Sequence, residues 1–395
     1  MDKLYAELFE LTSYALKSIP YDKPLIDGDA IFDTARENGL TALIFSVLVE
    51  GSVGQRTYTR FQKEYYRYQT KDLLQGDAIA LIRSLFRENQ IRFIFLKGAY
   101  LKQLYPDSHM RGMGDIDMLV QKADQDRIRK LLLVQGFKNP INGPTHDFYS
   151  RGRDVFLEVH PQIDLHFDKL HLSVFDNVWN SARLIDECEA EMAPELHMVY
   201  LLSHLAKHLK SSGVGLRQVL DIGVMLDRLG SSIDQEQLSA LLAQTRLKLF
   251  FLNLVAINKE YFNLESLTRF LADFEYEKEF LDEAIMFFIA SGIHGTADGF
   301  NRSASGITKV SLEQGNARKS KLRYLFSKLF LKYEDMVPSR PYLKKWPILL
   351  PVAWVIRWFD LAFHRTRRSI AKLRELRVDN DTLAKQYELY KRLGL

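Results

Sequence analysis

A single cysteine, Cys188, stands among 395 residues, so no internal disulfide can form and nothing in the fold depends on an oxidising compartment. The chain has no Gly-rich Walker loop, no dinucleotide fingerprint and no cysteine-based zinc spacing, which removes the commonest rival nucleotide and metal signatures. It also lacks an uninterrupted apolar run of bilayer length. The nearest candidate, WPILLPVAWVIRWFDLAF, has 18 residues but is broken by Pro347, Pro351, Arg357 and Asp360, so it is not read as a spanning helix. The N-terminal MDKLYAELFELTSYALKS has neither the basic nor the purely apolar region of a secretory signal, and a cytoplasmic location is expected. No internal repeat or low-complexity tract is visible. What is present is an ordinary globular composition, 47% apolar and 26% charged, which excludes disordered and collagen-like chains. The length suggests about two to four folding units.

Charge is unevenly placed. Between Arg318 and Arg377 lie 16 Lys and Arg against 4 Asp and Glu, although the whole chain carries only +4, so the remainder is net acidic. Three of the four tryptophans, Trp346, Trp354 and Trp358, fall in this basic arm. Val352, Val355, Ile356, Phe359 and Phe363 recur at helical spacing, while Arg357, Asp360, His364, Arg367 and Arg368 lie mainly elsewhere on the wheel. Two readings stand for residues 340–377: a helix docked on the protein's own helical domain, or an interfacial helix at the inner membrane face on anionic lipid. Nucleic-acid binding ranks below both, because the rest of the chain is acidic and the tryptophans sit among aliphatic residues.

Along the chain, residues 1–88 carry a helical period, with AIFDTARENGLTALIFSVLVEG as one helix ended by Gly51. The period then changes. IRFIFLKG and DIDMLV read as buried strands, AYLKQLYP as about two helical turns, and ADQDRIRKLLLVQGF as a helix closed by Gly136. HDFYSRG and RDVFLEVHPQIDL read as a hairpin turning at Arg151-Gly152-Arg153. After Pro194 the helical period returns, QEQLSALLAQTRLKLFFLNLVAINKEYF being one of its helices. Residues 295–317 read as a loop. The expected division is an N-terminal helical region 1–88, an α/β core 89–188, a helical domain 189–300 and the basic arm 318–395. The fold class is α+β, a short mixed sheet with flanking helical regions.

The chemistry is carried by carboxylates. Asp115 and Asp117 are two apart in a strand-like run, so their side chains share a face, where like charges repel unless a cation lies between them. Hard oxygen ligands of this kind suit Mg²⁺. Lys97-Gly98 precedes the pair at a strand-to-helix junction, where glycine allows a phosphate to approach the backbone. Glu158 follows in FLEVH, flanked by Leu157 and Val159. Alone it reads as an outward-facing strand residue; with the aspartates it reads as the third ligand of a two-metal site.

FLKGAYLKQLYP, RGMGDIDMLV and LEVH resemble the DNA polymerase beta-like nucleotidyltransferase superfamily, and within it a bacterial group bearing Leu-Lys-Gly, Arg and Asp-Ile-Asp-x-Leu-Val. Arg111 ahead of Asp-Ile-Asp also resembles the arrangement in antibiotic-modifying nucleotidyltransferases. The resemblance spans roughly residues 90–165. It implies a polymerase beta-like core in which Asp115 and Asp117 bind two Mg²⁺ ions, with Mn²⁺ as an alternative, and Glu158 binds the catalytic ion and helps remove a proton. The acceptor hydroxyl, on a small molecule or protein, then attacks the α-phosphorus of a nucleoside triphosphate such as ATP and pyrophosphate leaves. Gly98 would hold the outer phosphates. One departure is plain: most of the superfamily has Gly-Ser or Gly-Gly at this turn, whereas this chain has Lys97-Gly98-Ala99, so the usual serine contact is missing. Lys97 and Arg111 either supply phosphate cations or pair with the site's carboxylates.

His160 shares the strand face of Glu158 and is a candidate for the metal's outer shell or for the acceptor; a satisfied strand histidine is the alternative. His204 and His208, four apart on a helix, read as a packed or surface pair or as a nucleotide or acceptor contact, and Lys207, Arg217 and Asp221 are read with the same caution. His146 and Asp147 read as loop residues. The competing class is a nucleotidyltransferase-like module without catalysis, sensing a nucleotide or binding a partner.

Overall fold

The computed structural model describes residues 2–142, 146–163, 168–272 and 274–293, then 304, 307–308, 310, 323–324, 326–327, 329–337, 339–363 and 380–395. The expected loop at 295–317 falls almost wholly outside these residues, as do His364, Arg367 and Arg368 of the basic arm. The chain divides into two compact units, Met1–Lys207 with Val214–Asp298 and Gly394, and His208–Gly213 with Gly299–Leu393 and Leu395.

The larger unit opens with α1 (Lys3–Leu16), α2 (Gly28–Asn38), α3 (Thr41–Phe45) and α4 (Gln55–Glu88). The single helix expected to run to Gly51 is broken, because Gly39 takes φ +68° and caps α2 in the left-handed conformation that glycine enters without strain. Next come β1 (Phe93–Phe95), α5 (Lys97–Leu101), β2 (Ile116–Val120), α6 (Gln125–Val134), β3 (Lys138–Asn142), β4 (Asp147–Arg151) and β5 (Val155–His160). Short α7 (Lys169–Leu172) and α8 (Val178–Ser181) lead to β6 (Arg183–Leu184) and β7 (Glu189–Glu191). Helices α9 (Pro194–Leu209), α10 (Leu216–Leu229), α11 (Gln235–Thr245), α12 (Lys248–Phe262), α13 (Thr268–Leu271) and α14 (Lys278–Ser291) follow. The pattern over 235–262 reads as one helix, but Arg246 at φ +58° separates α11 from α12, with no glycine or proline to signal it.

The seven strands form one mixed sheet in the order β3-β4-β5-β2-β1-β7-β6. β2 runs antiparallel to β1 and parallel to β5, which brings Asp117 level with Glu158 and Leu119 level with His160. The two-residue period explains the register. Ile116, Met118 and Val120, with Leu157 and Val159, enter a core shared with Ile82 and Phe86 of α4 and Ile128 and Leu132 of α6. Each such side chain contributes about 1.5–3 kcal/mol on burial, and a slip of one residue would drive Asp117 or Glu158 into that core. The carboxylates are thereby held on the opposite face. Three strands, β3, β6 and β7, are additional to the sequence reading; β6 and β7 are too short to carry a period.

In the smaller unit, Met336, Leu343 and Ala353 form a core against which Trp354 packs. The indole N–H groups of Trp354 and Trp358 donate to the carbonyls of Leu331 and Leu329, both at 2.9 Å, and fix one face of the helix Leu350–Phe363. No helix among the described residues is long and apolar enough to cross a membrane.

Candidate active site

Asp117 sits in the middle of β2 with 2% of its surface exposed. Lys97 Nζ donates to its Oδ1 at 2.7 Å, and His160 Nε2 lies 3.1 Å from the same oxygen. His160 Nε2 is also 3.4 Å from Glu158 Oε2, and His146 Nε2 is 3.7 Å from Glu158 Oε1. One potential ligand atom from each of Asp117, Glu158 and His160 falls within 4.8 Å of the other two, and this is the one such metal-ligand group among the described residues. His146, read from sequence as a loop residue, therefore stands beside the cluster.

Asp115 lies just before β2, half-buried. Burial first, then the charges of Asp117 and Glu158, push its carboxyl up to about 7, with Lys97 opposing them. Burial would raise Asp117 too, but the Lys97 ammonium and His160 outweigh it and hold that carboxyl well below the usual range. Lys97 is in turn held above the ordinary lysine value, the Asp117 charge overcoming burial, and His160 is raised by its bonds to Asp117 and Glu158 against the opposing effect of burial. Three acidic side chains thus share one electrostatic neighbourhood, and their mutual repulsion is what a divalent cation relieves. The donor set fits such an ion: two or three carboxylates suit Mg²⁺, and an imidazole nitrogen widens the choice towards Mn²⁺.

Lys97 takes the second of its two sequence readings, pairing with a site carboxylate. It does so from a strained backbone, φ +43°, which costs on the order of 1–3 kcal/mol for a residue that is not glycine. Gly98 is buried, and a Cβ there would lie 2.6 Å from both Arg111 Nη1 and Met113 Cγ, so only glycine lets the 111–113 loop lie against α5. Arg111 spends its charge elsewhere. Its Nε and Nη2 grip Asp221 of α10 at 3.1 and 2.7 Å, and the Tyr105 hydroxyl donates to the same carboxylate at 3.0 Å. Arg111 and Asp221 are both nearly inaccessible, so this bidentate pair is a brace that sets the approach to Asp115.

Two cations that sequence reasoning passed over or left open flank that approach. Arg217 of α10 donates through Nη1 to the Gly112 carbonyl at 2.8 Å, while its buried Nε has no hydrogen-bond partner among the described residues. Lys71, on α4, makes no hydrogen bond or ion pair among the described residues. Burial lowers its pKa, opposed by the charges of Asp154 and Asp115. The signal was present as a face of α4: Arg67, Lys71 and Gln75 are spaced i, i+4, i+8, and Gln75 Nε2 donates to the Met113 carbonyl at 3.3 Å. His204 and His208 are outside the metal-ligand group; His204 stacks with Tyr200 at 6.4 Å, and His208 Nδ1 lies 2.7 Å from Ser212 Oγ.

Residues 24–263 match a protein family described as uncharacterised nucleotidyltransferase, and the chain belongs to that family. Membership assigns nucleotidyl transfer as the general chemistry and a nucleotide as substrate. No curated protein and no solved structure matches the chain.

Proposed function

We propose that the chain is a Mg²⁺-dependent nucleotidyltransferase on a polymerase beta-like core, moving a nucleoside monophosphate from a nucleoside triphosphate onto the hydroxyl of a small molecule or protein. The register that sets Asp117 of β2 level with Glu158 of parallel β5, with Asp115 close enough to feel both charges, carries this reading. Asp115, Asp117 and Glu158 would hold two Mg²⁺ ions, His160 supporting Mn²⁺ as the alternative. When bound, such ions acidify the acceptor hydroxyl and neutralise charge on the phosphates. Glu158 takes the hydroxyl proton, the acceptor oxygen forms its bond to the α-phosphorus, and the bond from that phosphorus to the bridging oxygen breaks to release pyrophosphate. Lys97 neutralises Asp117, and this leaves Lys71 and Arg217 to receive the β- and γ-phosphates, the task that a serine at the turn has elsewhere in the superfamily. Arg111 and Asp221 keep the loop that presents Asp115 in place.

The test is mass spectrometry of products after the pure full-length chain meets each triphosphate with Mg²⁺ in a cell extract, together with pyrophosphate release. Wild type should yield a nucleotidylated product, and Asp115→Asn and Asp117→Asn should fall to background with their fold retained. Wild-type rates in both variants would end the proposal. Magnesium-dependent triphosphate binding without pyrophosphate release across a broad acceptor screen would transfer support to the sensing module.

A further inference from the structure

Within the smaller unit the helix Leu350–Phe363 packs one apolar face inward and, among the described residues, leaves a second one largely exposed. Ala353 and Trp354 turn inward onto Met336 and Leu343. On the other side Val352, Val355 and Ile356 lie within one stripe about 100° wide at 3.6 residues per turn, and they are 51%, 44% and 41% exposed. Ile348, in the turn before the helix, is 84% exposed. A helix that presents an apolar stripe on each of two faces is suited to an apolar neighbour on both, so water is not the expected neighbour of this stripe.

We propose that this stripe is a membrane-contact surface that lies in the interface of a bilayer rich in anionic lipid. The charge around it selects that occupant. Lys344 and Lys345 are exposed immediately ahead of Trp346, Lys345 Nζ sits 6.0 Å from the Trp346 ring centre, and Trp346 is itself 55% exposed. A tryptophan beside lysines at the edge of an apolar stripe matches the chemistry of the headgroup layer. Asp360, the helix's one acid, is already paired with Arg340, so no uncompensated negative charge opposes an anionic surface. The surrounding stretch from Arg318 to Arg377 carries 16 basic against 4 acidic residues, and each cation near such a surface adds to the attraction. The helix lies on the surface and does not cross it. Nucleotidyl transfer is not needed for this step, so the proposal stands apart from the catalytic one.

Flotation of the full-length chain with vesicles of phosphatidylcholine, with and without about a third phosphatidylglycerol, tests it. The chain should float with the anionic vesicles, release at high salt, and show a blue shift of tryptophan fluorescence on binding. Val352→Asp with Val355→Asp should weaken partitioning at least about tenfold, and Lys344→Ala with Lys345→Ala should weaken it on anionic vesicles. Val134→Asp, at an apolar position 83% exposed in the other unit, should leave it unchanged. No flotation on anionic vesicles, or equal flotation of wild type and the Val352/Val355 variant, would overturn the proposal. So would a concentration-dependent dimer, lost in that variant, from a chain that ignores vesicles.

Discussion

Replacing Lys97 by methionine isolates the electrostatics on which the candidate site is built. Asp117 is 2% exposed and receives the Lys97 ammonium at 2.7 Å, so the variant keeps most of the side-chain volume but strands a buried carboxylate whose remaining close polar neighbour is His160. Breaking a buried pair from one side costs about 3–5 kcal/mol, and relief of nothing else offsets it because methionine inherits the strained φ of +43°. For a unit of this size each kcal/mol moves the melting temperature by roughly 2 °C, so Lys97→Met should melt about 6–10 °C below wild type in chelator. The double variant Lys97→Met, Asp117→Asn should recover most of the loss, since removing both charges leaves no unpaired ion. Added Mn²⁺ or Mg²⁺ should raise the melting point of Lys97→Met more than that of wild type, a divalent cation substituting for the missing ammonium. Scanning calorimetry of the three proteins with and without metal provides the readout. An unchanged melting point for Lys97→Met in chelator, or a double variant no more stable than the single, would refute the argument.

Lys71→Ala should lower kcat/KM for the triphosphate by about 10- to 100-fold, mainly through KM, while Lys71→Arg retains most of it, because a charged hydrogen bond to phosphate contributes about 1.5–3 kcal/mol; steady-state kinetics measures both. Asp221→Ala should destabilise the chain by about 3–5 kcal/mol in denaturant unfolding by leaving Arg111 buried and unpaired, and Asp221→Glu should not restore the bidentate grip. His197 is fully buried against Tyr100, with ring centres 4.1 Å apart, and neither ring nitrogen has a hydrogen-bond partner among the described residues. Burial takes its pKa down to about 3 from an ordinary 6.5, so below pH 6.5 the unfolded chain binds a proton that the folded chain does not, and stability falls from there towards pH 3. That loss is roughly 2 kcal/mol by pH 5, and His197→Phe should flatten the slope in melts between pH 5 and 7.

How much of this was legible depends on the range of the interaction. The strands at β1, β2, β4 and β5 and the helix α6 announce themselves through local period and turn residues, and so does the pairing of Asp115 with Asp117. Glu158 was readable as an acid in an apolar strand, but its level with Asp117 follows from a parallel pairing that no local signal encodes. Arg111 shows the limit more sharply. Its position ahead of Asp-Ile-Asp suggests a phosphate or a site carboxylate, yet it pairs with Asp221, 110 residues on, because α10 places that acid beside the loop. Lys71 lies in a helix of 34 residues whose period says only that it is partly solvated; its place near Asp115 depends on how that helix crosses the sheet.

At the turn Lys97-Gly98-Ala99 the departure from Gly-Ser has a physical consequence. Ala99 is 3% exposed and belongs to the core with Phe95, Met113 and Ile116, so the residue after Gly98 points into the protein and away from the carboxylates. Restoring the superfamily's Gly-Ser by Ala99→Ser would therefore bury a hydroxyl and supply no phosphate contact. The expected result is a loss of roughly 1–3 kcal/mol in stability with no gain in triphosphate affinity, measured by unfolding and by calorimetric titration of the same preparation. Tighter triphosphate binding in Ala99→Ser would mean that the turn itself holds the phosphates, and the assignment of that task to Lys71 and Arg217 would fail. Weaker binding with intact stability would point the same way. The predicted combination follows from Lys97 committing its charge to Asp117, which under the proposed function would leave phosphate recognition to the two helices that carry Lys71 and Arg217.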